Sequence, residues 1–250
     1  MRAASFDFDG ERYAVTGASS GMGREIALRL AQSGAKVLVL ARREEKLAEL
    51  AAEVPGMIIP AAVDVCDTKA MEEALGHFVQ EQGPLSGTVH AAGTAVFTPL
   101  AAYNARKAQK MMETTFWAGM ALLQLATRAP YAGERTSHVL FSSADAVCCE
   151  MGKFAYAAAK AAVNAGVRSA AKELARNGHR VNAVMPGWVA TEMTQNPLAQ
   201  AYADQEAIAV RELLGMGEPA DVAGLVLFLL SDSARWMTGA CLAVDGGYSA

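Results

Sequence analysis

Short apolar runs and helical runs take turns along almost the whole of this chain, and that rhythm limits the folds open to it. Residues 13–16, 36–41, 57–63, 85–90, 137–142, 180–185 and 242–244 read as strands. Several are apolar without alternation, as strands buried on both faces of a sheet are. Helical runs lie between them. The first spans 21–33 and stops at Gly34, placed as a glycine just past a helix end. Others span 43–53, 102–129, 153–176 (ending at Asn177-Gly178) and 220–230. The alternation predicts an α/β fold: one domain over 1–250, a doubly wound parallel sheet of about seven strands with helices on both faces. There is no linker and no internal repeat.

The apolar share, 52%, suits such a sheet and leaves residues for contacts between subunits. A net charge of -4 without a basic stripe argues against nucleic-acid binding. The first residues carry acids and no apolar core, so they do not form a signal peptide. The longest strongly apolar stretch, 222–230, is too short to cross a bilayer. The four cysteines show no metal-ligand spacing, which points to idle thiols in a reducing cytoplasm; the adjacent Cys148 and Cys149 lie shortly after a serine pair.

Two segments carry chemistry. Thr16-Gly17-Ala18-Ser19-Ser20-Gly21-Met22-Gly23 joins the first strand to the first helix. There a glycine loop brings its backbone close to a pyrophosphate, and the helix N-terminus faces the charge. Further on, Tyr156 and Lys160 stand four apart on a helix, hence on one face. A free phenol has a pKa of about 10 and is a poor acid or base at neutral pH. The neighbouring ammonium is expected to lower it, giving a pair that trades a proton with an alcohol or carbonyl. The competing reading is an alanine-rich helix packed on a partner subunit, and both can hold at once.

The loop spacing T-G-x-x-x-G-x-G resembles the short-chain dehydrogenase/reductase family. So do the Tyr-x-x-x-Lys pair, the Pro186-Gly187 break after the sixth strand, and the ending Thr238-Gly239 … Val244-Asp245-Gly246-Gly247. The resemblance covers nearly the whole chain, extends broadly to 3-oxoacyl-(acyl-carrier-protein) reductases, and implies a Rossmann-type fold. Ser143, 13 residues before Tyr156, matches the serine that holds the substrate oxygen, with Ser142 as the other candidate. Tyr156 would be the acid in reduction and the base in oxidation, and Lys160 would also bond the cofactor's ribose. Asp64, with Val65, matches the site that meets the adenine; Asp64 could equally cap the next helix, for which Asp67 is the better candidate. Where the family usually has Asn-Asn-Ala-Gly, this chain has His90-Ala91-Ala92-Gly93, and His90 is expected to replace a structural asparagine. A further asparagine, which holds a water in the proton relay, is replaced by Thr115, or by Phe116 if the alignment slips by one. Val189 and Thr191 would meet the carboxamide, and 192–215 would form a substrate lid.

At the end of the second strand an acid would suit a ribose 2′-hydroxyl and an arginine a 2′-phosphate. The chain has Arg42 and Arg43 there and no acid, which favours NADP(H), with Arg42 the main contact; otherwise both arginines simply start a solvated helix. Met193, Leu198, Tyr202, Ile208, Val210 and Trp188 suggest an apolar small-molecule substrate. Arg128, Arg168, Lys172 and Arg176 could offer an acidic carrier a basic surface near the site. The expected activity is hydride transfer between NADP(H) and a ketone or secondary alcohol, a 3-oxoacyl thioester among the candidates, in a homotetramer or homodimer. A hydroxysteroid or sugar-alcohol dehydrogenase, and a nucleotide-binding regulator without catalysis, are the alternatives.

Overall fold

The computed structural model describes residues 5–95, 99–195 and 211–250. Seven strands form one parallel sheet: β1 (Arg12–Thr16), β2 (Lys36–Ala41), β3 (Ile58–Ala62), β4 (Leu85–His90), β5 (Ala132–Phe141), β6 (Arg180–Pro186) and β7 (Cys241–Val244). Their order is β3-β2-β1-β4-β5-β6-β7, so the winding reverses between β1 and β4. The crevice at the carboxyl ends of strands beside such a reversal is where ligands bind in open α/β sheets.

Among the described residues the α-helices are α1 (Gly21–Gln32), α2 (Glu44–Glu53), α3 (Thr68–Gln82), α4 (Ala105–Met112), α5 (Ala118–Ala126), α6 (Asp145–Cys148), α7 (Phe154–Leu174) and α8 (Pro219–Leu230). Successive side chains on a strand point to opposite faces. Tyr13 and Val15 accordingly pack with Ile26, Leu30, Val222 and Val226 of α1 and α8. Ala14 packs on the other face with Leu75 of α3 and Leu122 of α5. On the same side Val163 and Val167 of α7 cover Leu140 and Val181. Asp67, not Asp64, caps α3: its carboxylate accepts a hydrogen bond from Ala70 N at 3.0 Å.

The helix expected over 102–129 is interrupted. Between α4 and α5 the chain makes a wider π turn over Glu113–Trp117. An extra residue in a turn shifts the phase of every side chain after it. This buries Thr115 completely, while Phe116 lies against Gly166 and Met120.

Two buried histidines tie strands together. His90 Nε2 faces the carbonyl of Thr114 at 3.1 Å and must carry the proton, so Nδ1 accepts from Thr16 Oγ1 at 2.9 Å. One imidazole thus links the ends of β1 and β4 to the π turn, the structural part expected of it. His138 sits between Thr88 and Thr136, at 2.8 and 2.7 Å. Burial pulls the pKa of His90 down to about 4 and that of His138 to about 3, both below the unfolded value of about 6.5.

The folded protein therefore holds these rings neutral. Their contribution is whole above about pH 6.5 and is lost as pH falls towards the folded values, because the unfolded chain then binds more protons. Stability in urea should fall by about 2–3 kcal/mol per imidazole between pH 7 and pH 4.5. His90→Asn should remove part of that slope. An unchanged slope in the variant would show that His90 is not held neutral.

Candidate active site

A long groove crosses the carboxyl end of the sheet at the β1/β4 reversal. Gly17, Ser19, Ser20, Gly21, Met22 and Gly23 line it from the β1–α1 turn. Arg42 and Arg43 line it from the end of β2, Asp64 and Val65 from the end of β3, and Ala91, Ala92 and Gly93 from the end of β4. Thr191 closes the near side. A second pocket adjoins it, lined by Ser143, Tyr156, Pro186 and Gly187, and Met193 borders both. Lys160, Thr115 and Val189 lie buried beneath this surface. Of the expected lid, 196–210 lies outside the described residues, and with it Leu198, Tyr202, Ile208 and Val210.

The glycines are there because nothing larger fits. Gly17 has φ +69, and a Cβ on it would stand 2.7 Å from Ala92 N. A Cβ on Gly23 would stand 2.5 Å from Gly17 O. The turn is thus pressed against the end of β4 and against itself, leaving a bare backbone floor at the start of α1. That is the form a bound pyrophosphate requires, so these residues fit a dinucleotide.

Arg43, rather than Arg42, is the arginine tied into the loop. Its Nη2 donates to Ser20 Oγ at 2.7 Å and Ser19 Oγ at 3.0 Å, and its Nη1 pairs with Glu192 at 2.8 Å. The pair with Glu192 is solvent-exposed and hence weak. Asp64 accepts from Cys66 N at 3.0 Å; that bond above all, and the charges of Lys110 and Arg42 after it, lower its pKa.

Ser142 and Ser143 part company at the end of β5. Ser142 Oγ is buried and donates to Lys160 O at 3.0 Å, so it fastens α7. Ser143 turns into the pocket beside Tyr156, and its hydroxyl lowers the pKa of the phenol. Lys160 Nζ donates to Phe141 O at 2.7 Å and lies 5.6 Å from the centre of the Tyr156 ring. Thr115 Oγ1 is buried and has no hydrogen-bond partner among the described residues. It converges with Lys160 on Gly93, where an added Cβ would stand 3.7 Å from Thr115 Oγ1 and 3.6 Å from Lys160 Nζ.

The expected acidification of Tyr156 is not what the structure shows. Burial pushes the phenol up to about 12, with the Ser143 hydroxyl lowering it and the charge of Asp145 raising it further. Burial pulls Lys160 down to about 8. The phenol is therefore held protonated, the form that donates to a carbonyl.

Two other expectations need correcting. Residues 168 and 172 lie 12 and 16 positions beyond Tyr156, about 18 and 24 Å along α7 at 1.5 Å per residue, and 176 lies beyond the end of that helix. Arg128 follows the other end of α5, where it meets Glu72 at 3.6 Å. None of the four is at the pocket. Nor is the pocket simply apolar: Asp145 and Lys153 line it beside Ala95, Ala144, Met193, Trp188 and Tyr248. Sequence reasoning missed Asp145, Lys153 and Tyr248; the signal for Lys153 was its place one helical turn before Tyr156.

The family model described as enoyl-(acyl carrier protein) reductase matches residues 17–249. The galactitol 2-dehydrogenase (L-tagatose-forming) of Cereibacter sphaeroides is 37% identical, over 98% of this chain and 97% of that protein. The 3-oxoacyl-[acyl-carrier-protein] reductase of Thermotoga maritima is 31% identical, over 96% of this chain and 98% of that protein. Among solved structures, a short-chain type dehydrogenase/reductase from Mycobacterium marinum superposes with a TM-score of 0.90 at 31% identity, covering 98% of both chains.

The crowding at Gly17 is open to a direct check against Gly56, which has φ +77 but nothing within 4 Å of an added Cβ. Gly56→Ala should cost about 1–2 kcal/mol from backbone conformation alone and leave dinucleotide binding intact. Gly17→Ala should unfold at lower denaturant than Gly56→Ala and bind NADPH at least roughly tenfold more weakly by fluorescence titration. Equal behaviour of the two variants would remove Gly17 from the cradle.

Proposed function

Because the chain belongs to the short-chain dehydrogenase/reductase family, and is an oxidoreductase of alcohol and keto groups, we propose that it reduces a ketone with NADPH, or runs the reverse oxidation, through Ser143, Tyr156 and Lys160. The observation that carries this is their convergence. Ser143 and Tyr156 line one pocket that opens onto the glycine-floored groove, with a buried ammonium behind the phenol. A regulator without chemistry has no use for that arrangement.

The dinucleotide supplies the hydride. Gly17, Ser19, Gly21 and Gly23 would hold its pyrophosphate, Asp64 and Val65 its adenine end, and Val189 and Thr191 its carboxamide. Ser143 orients the substrate oxygen by hydrogen bonding. Tyr156, protonated at rest, gives that oxygen its proton in reduction and takes one back in oxidation. Lys160 stabilises the phenolate once it forms and bonds the ribose. The free Thr115 hydroxyl oxygen stands beside Lys160 and passes protons onward in place of the usual asparagine.

Arg42 and Arg43 make the 2′-phosphate the better partner at the end of β2. Glu192 is a poor competitor for Arg43, since its exposed ion pair gives way to a phosphate at little cost. Relatives act on polyols in one case and on 3-oxoacyl thioesters in another, so both classes belong in a first substrate panel. The chain assembles through the face where Leu100, Tyr103, Met112, Phe154, Ala155 and Ala158 form an apolar trough between α4 and α7.

Tyr156→Phe should lower kcat by roughly 100- to 10,000-fold while NADPH affinity stays near wild type. Turnover close to wild type would show that the proton comes from elsewhere. Thr115→Val, similar in shape but without the hydroxyl, should lower kcat about tenfold. For the cofactor, Arg42→Ala and Arg43→Ala should each weaken NADPH by roughly 10- to 100-fold and NADH by much less. Equal losses for the two cofactors would remove the NADP(H) assignment.

A further inference from the structure

The pocket contains a charged pair that hydride transfer, as described, does not use. Asp145 opens α6 two residues after Ser143, and Lys153 precedes Tyr156 by three. Lys153 Nζ donates to Asp145 Oδ2 at 2.9 Å. Both residues line the pocket with Ser143 and Tyr156, and each is only 8% exposed. The second carboxylate oxygen, Asp145 Oδ1, is buried and has no hydrogen-bond partner among the described residues. Lys153 Nζ also lies 4.7 Å from the centre of the Trp188 ring, which lines the same pocket.

Stability does not explain this arrangement. A buried ion pair can often be replaced by apolar side chains without loss, and a carboxylate oxygen left without a donor is costly. The site needs a ligand group that gives a proton to Oδ1. An aspartate carboxyl turns easily about its last torsion, so Oδ1 can swing towards the pocket. A ligand anion would be repelled by that oxygen, and a ligand cation by Lys153. A neutral hydroxyl meets both neighbours, since it donates to a carboxylate and accepts from an ammonium. A saturated acyl chain or a thioester carbonyl has no such proton to give. The apolar part of the wall, with Ala95, Ala144, Pro186 and Met193, suits the C–H face of a carbon chain.

We infer that the Asp145–Lys153 pair binds a second hydroxyl of the substrate, close to the reacting carbon, so that the substrate is a polyhydroxylated ketone or alcohol. The inference rests on the reductase reading above and narrows its substrate class. Asp145 and Lys153 become specificity-determining residues, and the apolar substrate expected from the lid sequence is replaced by an amphiphilic one.

The test uses the full chain with NADP(H). The substrates are a linear alditol and its ketose, deoxy analogues lacking one hydroxyl at a time, a 2-alkanol and 2-alkanone of equal length, and a 3-oxobutanoyl thioester. In the wild type, removing one hydroxyl near the reacting carbon should lower kcat/KM by roughly 10- to 100-fold, chiefly through KM. That preference should shrink to within about threefold in Asp145→Asn and in the double variant Asp145→Leu/Lys153→Met, which leaves no charge unpaired. Wild-type turnover of the alkanone or thioester without any hydroxyl preference overturns this inference and leaves the reductase reading standing. So does a double variant, folded by circular dichroism, that keeps the hydroxyl preference. NADPH binding without turnover of any substrate overturns both.

Discussion

The catalytic geometry hangs on a two-way stitch between the end of β5 and the middle of α7. Lys160 donates from its side chain to Phe141 O, and its own carbonyl accepts from Ser142 Oγ. One residue on the helix is thereby bonded to two consecutive residues of the strand end. The next residue, Ser143, and the phenol one turn earlier on α7 are left facing each other. Hydrogen bonds to a charged donor are about twice as strong as neutral ones. The stitch is buried, so no water competes for it. It also divides the labour between two adjacent serines, which by residue type alone are interchangeable.

Burying an ammonium is unfavourable unless it is well bonded, and the fall of Lys160 to about 8 records that cost. The same dry surroundings raise Tyr156 to about 12. These opposite shifts drive apart two groups that differ little in water, where both lie near 10, and they reverse the order: the amine now loses its proton first. The phenol is consequently a donor at rest. To act as a base it needs positive charge or hydrogen bonding supplied at the moment of reaction, by Ser143, by Lys160 and by the ribose end of the cofactor. Catalysis of this kind is preorganised electrostatics, not a permanently ionised side chain.

The fold was legible because both faces of the sheet are covered, so most strands are plain apolar runs and the helices between them have clear ends. β4 and β2 fall where the residues place them, 85–90 and 36–41. Most of the groove was legible too, since Gly17, Gly21 and Gly23 can serve only a crowded turn. What the sequence could not disclose were effects of phase and distance. The π turn at Glu113–Trp117 carries no mark in residue type, and only its extra residue decides that Thr115 is fully buried near Lys160 while Phe116 packs against Gly166 of α7. Basic residues on the far half of α7 looked close to Tyr156 in sequence but are separated from it by several helical turns.

Asp145 and Lys153 belong to the same class of omission, and they change the chemical character of the pocket. Each alone is an ordinary charged residue near a helix start. Their meaning comes from meeting at 2.9 Å inside the pocket, with one oxygen left over. Ser143, Tyr156 and Lys160 define where a carbonyl oxygen sits, but they recognise only one functional group. Discrimination among carbonyl compounds must come from what borders that point. Apolar walls discriminate weakly, by one or two methylenes, whereas a buried polar group left unpaired by the wrong substrate discriminates strongly. In this pocket a buried carboxylate oxygen lacks a hydrogen-bond donor, and a hydroxylated carbon chain is a ligand that provides one.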